Sequence, residues 1–81
     1  MWIRSQDRKM LIKVIEVFVN NYEPSVVGLN EGRVDSAEVL GKYATRERAI
    51  EVLDEIQQFI IDCHQCQNDK MFSPIYEMPK E

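Results

Sequence analysis

Hydrophobic and polar positions divide the chain into an alternating first half and a helical second half. Over Met10–Asn20 (MLIKVIEVFVN) the β-branched and aromatic residues Val14, Ile15, Val17, Phe18 and Val19 crowd together. Such residues suit a pleated surface and lose rotamer freedom in a helix. Read with a period of two, Ile12, Val14 and Phe18 share one side, interrupted by Glu16. Leu11, Ile15, Val17 and Val19 share the other, interrupted by Lys13. Both sides are mostly apolar, which predicts a central strand covered on two faces.

The neighbouring segments are shorter. Trp2–Ser5 reads as a strand, and Ser5-Gln6-Asp7-Arg8 as a polar turn into Met10. Asn21 to Ser25 reads as a loop, because Pro24 has no N–H to give a ladder. Val26, Val27 and Leu29 make a third strand with Gly28 as a candidate bulge, and Asn30-Glu31-Gly32 is a turn. Glu38–Tyr43 makes a fourth strand.

The spacing then changes from two to three and four. Ala49, Val52, Leu53, Ile56, Phe59, Ile60 and Cys63 form one apolar stripe, opposite an acidic face of Glu47, Glu51, Asp54, Glu55, Gln58 and Asp62. Thr45 is the expected N-cap, and Glu47 in the first turn complements the helix dipole. The helix is expected to end near Cys66–Asn68. These elements predict an α+β fold: a four-stranded antiparallel meander with one C-terminal amphipathic helix packed on one face. Residues 1–70 form this single ββββα domain, and residues 71–81 an extended, proline-containing tail. Met71, Phe72, Ile75, Tyr76 and Met78 give that tail too much apolar surface for an idle linker, so it is expected to dock.

A helix of about 22 residues spans about 33 Å, enough to cover one face of such a sheet and not both. The second apolar side of Met10–Asn20 therefore calls for the tail, a second copy or a partner. Symmetric dimers are the commonest soluble oligomers, so a homodimer is expected first, with an unidentified protein partner as its competitor. Trp2, Met71, Phe72, Tyr76 and Met78 are the candidate contact residues.

Composition narrows the function classes. The chain has 81 residues, a formal net charge of −4 and 44% hydrophobic residues, consistent with one small packed domain. Arg4, Arg8, Lys9 and Lys13 against Asp7 make residues 1–13 a net +3, so the remainder carries −7. An acidic chain repels a phosphate backbone, yet Arg4, Arg8 and Lys9 beside Trp2 form a basic hairpin, the alternative nucleic-acid contact. No apolar leader follows Met1, and no run reaches membrane-spanning length, which points to the cytoplasm.

Chemistry is sparse. Cys63-His64-Gln65-Cys66 offers three zinc-capable groups, but no second Cys/His pair completes a site, and a CxxC near a helix C-terminus lacks the dipole that favours thiolate. The two cysteines read as small apolar residues extending the stripe. His64 is the sole histidine, with no nucleophile in a recognisable arrangement and no glycine-rich phosphate loop. Neither an enzyme, a cofactor nor a metal site is expected.

The opening Met1-Trp2-Ile3-Arg4-Ser5-Gln6-Asp7, the Leu40-Gly41-x-Tyr43 element running into Thr45-x-Glu47-Arg48-Ala49, the Val52-Leu53-Asp54-Glu55-Ile56 core and the closing Tyr76-x-Met78-Pro79 carry a resemblance. The chain resembles a group of small uncharacterised proteins of Gram-positive bacteria and their phages or mobile elements. That group has no established activity or catalytic residues to carry over. The resemblance implies an intracellular accessory protein, with phage association as one setting.

Overall fold

The computed structural model describes residues 1–20, 22–65 and 75–81, with side chains throughout except at residues 33–35, 64 and 65. The elements run β1 (Trp2–Arg4), β2 (Leu11–Asn20), β3 (Ser25–Asn30), β4 (Arg33–Lys42), α1 (Arg46–Gln65) and β5 (Ile75–Glu77). They build one five-stranded sheet, ordered β4-β3-β2-β1-β5, and one helix. Every pairing is antiparallel except that of β1 with β5. The expected four-stranded sheet is thus one strand short. Residues 75–77 of the tail form the extra strand, set parallel to β1 with Ile3 opposite Tyr76.

Side chains, not glycine, build the β1–β2 turn. Ser5 Oγ donates to Asp7 Oδ1 (2.6 Å) and accepts from Met10 N (3.1 Å), while Lys9 N donates to the same carboxylate oxygen (3.0 Å). The Ser5 hydroxyl is the main reason the exposed Asp7 carboxyl is held below its ordinary range, with Lys9 N second. Arg8 adopts a left-handed φ of 68°, a region few non-glycine residues occupy.

The central strand has one buried face, not two. Val14 pairs with Asn30 and Glu16 with Leu29, so Ile15 is an extra residue that shifts the alternation by one. Before this bulge Ile12 and Val14 point into the core, and after it Val17 and Val19 pack against the core. A strict period-two reading puts those two pairs on opposite faces. The bulge puts them on the same one, and turns Phe18, 39% exposed, to the far side in exchange.

The sheet is also strongly coiled. Gln6, just past β1, donates its backbone N–H to Leu40 O (2.8 Å), accepts Lys42 N–H on its own Oε1 (2.8 Å) and returns Nε2 to Lys42 O (2.9 Å). Two strands separate β1 from β4 in the sheet, yet their C-terminal ends meet. The concave side then encloses Ile3, Ile12, Val14, Val26 and Leu40, closed over by Ala49, Val52 and Ile56 of the helix. Burying an aliphatic side chain of this kind contributes about 1.5–3 kcal/mol.

Gly28 is not a bulge. It pairs regularly with Val17 and Glu38, while the shifts in β3–β4 register fall between Val26 and Val27 and between Leu29 and Asn30. Its role is space: a Cβ there would lie 2.9 Å from Val14 Cγ1 and 3.0 Å from Leu40 Cδ1. β4 begins at Arg33 instead of the expected Glu38, because the tight Asn30–Gly32 turn lets pairing start at Asn30 opposite Arg33. The helix is capped as its sequence implies, with Arg48 N donating to Thr45 Oγ1 at 3.1 Å. No helix among the described residues is long and apolar enough to cross a membrane.

Candidate interaction surface

The two flanks of α1 are finished by different means. On one flank lies the C-terminal strap. Tyr76 alternates inward from β5, Met78 follows it two residues on, and both are buried (8% and 0% exposed) inside the chain's own core. Phe59 meets Tyr76 edge to face, with ring centroids 5.4 Å apart. Polar groups then hold the strap along its length. Met78 N donates to Arg4 O (3.1 Å), Tyr43 Oη to Pro79 O (2.9 Å), Gln6 Nε2 to Lys80 O (2.7 Å) and Arg48 Nε to Glu81 O (2.9 Å).

The electrostatics of this flank are those of a closed structure. Arg48 reaches Glu55 at 3.0 Å and Glu51 at 3.3 Å, and these contacts, Glu55 first, hold the guanidinium above its ordinary pKa. Tyr76 Oη donates to Glu55 Oε1 at 3.4 Å. Burial pushes both Tyr43 and Tyr76 up to about 12, with the Glu55 carboxylate adding to the effect. Both phenols therefore stay protonated at neutral pH and act as hydrogen-bond donors.

On the other flank the apolar surface is open. A groove of about 360 Å³ runs between Met1, the bulged Val14–Val17 segment of β2 and the helix residues Leu53, Ile56, Gln57, Ile60 and Ile61. Ile15, Ile60 and Ile61 are 55%, 41% and 40% exposed along it. Glu16 is the one charged side chain in its lining. The groove exists because the helix stripe is wider than the core beneath it. Ala49, Val52 and Ile56 use up the centre of the stripe, leaving its edge at Leu53, Ile60 and Ile61 above a strand end that β1 does not reach.

The sequence places Ile15 on the apolar side that calls for a cover, and marks neither Ile60 nor Ile61 as a contact residue. A signal was present, since Ile61 lies off the axis of the stripe and adjoins Ile60, broadening the apolar arc beyond what a single packed seam needs. The candidates that were named fall in three places. Trp2 is 38% exposed on the convex side of the sheet, flanked by Lys13 and Ile75. Tyr76 and Met78 are interior. Met71 and Phe72 lie outside the described residues.

The basic hairpin is partly neutralised. Arg8 pairs with Glu77 at 2.6 Å and Lys13 with Glu31 at 3.3 Å, while Arg4 Nη1 donates to Arg8 O at 3.1 Å. Lys9 is exposed. Of Arg4, Arg8 and Lys9, Arg8 alone is paired with a carboxylate among the described residues.

Cys63 is a half-buried free thiol at the end of the stripe. Cys66 lies outside the described residues, as does the side chain of His64. Among the described residues no group of three His, Cys, Asp or Glu side chains is placed to hold a metal ion. Comparison with protein-family models, curated proteins and solved structures finds no significant match to this chain.

Proposed function

We propose that this chain is a small accessory module that works inside the cell by protein–protein contact and carries no catalysis of its own. The observation behind this reading is the groove beside β2. Three isoleucines, each between 40% and 55% exposed, converge there on one concave surface. Exposed apolar residues scattered singly are ordinary, whereas a contiguous apolar concavity marks a contact site. The strap on the opposite flank supports the same reading, since apolar surface is covered there by the chain's own residues, whereas among the described residues none covers this surface.

The test uses Ile61→Lys, which places a charge in the groove without touching the core. The wild type is expected to sediment as an oligomer or to retain a specific protein that the folded variant loses. A wild type that sediments as a monomer and retains nothing the variant loses would remove the reading.

A further inference from the structure

We propose that the surface beside β2 is completed by a second copy of this chain, whose Glu16–Asn20 segment pairs antiparallel with the same segment across a two-fold axis. This inference rests on the protein-contact reading above and names its partner.

The first observation is a strand edge. β1 accompanies β2 only from Leu11 to Lys13, and the last bond between them runs from Val14 N to Met1 O at 2.9 Å. Beyond it Glu16–Asn20 pair with β3 on one side, and among the described residues no strand pairs with them on the other. An unpaired edge presents backbone donors and acceptors to any extended chain. Charged residues and prolines are the usual guards of such an edge. Between Val17 and Asn20 there are none.

The second observation is the sequence of that edge. Glu16-Val17-Phe18-Val19-Asn20 reads nearly the same in both directions about Phe18. A two-fold interface requires a surface complementary to itself, and this segment supplies one. In the register centred on Phe18, Val17 of one copy faces Val19 of the other on the core side. Phe18, 39% exposed, faces its counterpart on the convex side. Glu16 meets the amide of Asn20 and not another carboxylate, so the charges fit as well as the shapes. The axis stands perpendicular to the sheet and leaves both helices on the same face. The groove walls of Leu53, Ile60 and Ile61 then close over the valines of the added strand. Tyr22, 97% exposed just past the strand end, comes level with Met1 and Val14 of the partner subunit.

Sedimentation equilibrium of the full chain at micromolar concentration is expected to give twice the 9.5 kDa chain mass. Phe18→Lys and Phe18→Glu each set like charges directly opposite one another, and each variant alone is expected to be monomeric with an unchanged circular dichroism spectrum. Mixing the two variants in equal amounts restores the dimer. A monomeric wild type, a single variant that stays dimeric, or a mixture that stays monomeric would each overturn the proposal. A dimer that survives both substitutions leaves the protein-contact reading standing and moves the contact elsewhere. Amide exchange gives a readout that does not depend on the variants folding. Protection of the Val17 and Val19 amides is expected to rise with concentration, and protection independent of concentration would count against a second copy.

Discussion

The strap flank and the groove flank of α1 begin from the same apolar stripe and reach opposite outcomes. Toward the strap, Phe59 meets Tyr76, Met78 is fully buried, and hydrogen bonds from Gln6, Tyr43 and Arg48 hold the last residues in place. Toward β2, Ile60 and Ile61 have a strand edge below them and no described element beside them. The difference teaches that the exposed isoleucines are not a symptom of a poor core. Among the described residues, the chain closes the flank on one side only.

Substitutions on the two flanks should therefore differ in kind, and the largest effect belongs to the strap. Met78→Ala empties a fully enclosed site and is expected to cost about 2–5 kcal/mol, read as a lower urea midpoint. A loss below about 1 kcal/mol would mean that the strap is only lightly held. Gly28→Ala should cost about 1–3 kcal/mol, because Val14 or Leu40 must give way to the new methyl group. An unchanged thermal midpoint there would show that the concave side has slack.

The alkaline limb sharpens the comparison without a change in packing. Tyr43 and Tyr76 titrate near 12 when folded and near 10.0 in the open chain, so the unfolded state releases its protons first. Their contribution is complete below about pH 10 and falls away as pH rises toward 12. Melting curves across that range should show the decline, and Tyr76→Phe should flatten it while a groove substitution leaves it unchanged. The smallest effect is expected on the open flank. Ile61→Lys should alter the stability of the isolated chain by less than about 0.5 kcal/mol, measured at high dilution. A larger loss would make the groove part of the core.

How much of this was legible depended on the range of the interaction. The helix was readable because its stripe and the Thr45 cap are local signals, satisfied within a turn or two. β2 was readable as a strand, but not as a strand with one buried face. A bulge moves the alternation by one residue, and the resulting pattern of apolar residues on both sides is the pattern of a strand covered twice. β5 left only the inward alternation of Tyr76 and Met78, three residues of strand whose partner lies at the other end of the chain. The first half of β4 was hidden because Arg33, Asp35 and Ser36 are poor strand formers held by the hairpin turn. The groove could not be read at all as a place, since it arises only when the edge of a helix stripe and the free end of a strand come together.

The parallel pairing of Ile3 with Tyr76 has a consequence for the order of events during synthesis. Of the described elements β1 is made first and β5 last, so the edge of β1 that faces β5 stays vacant until its neighbour emerges. Until then the core cluster that holds Ile3 and Tyr43 lacks Tyr76 and Met78, and the interior is unfinished. In this interval the chain is most open to pairing with the wrong neighbour.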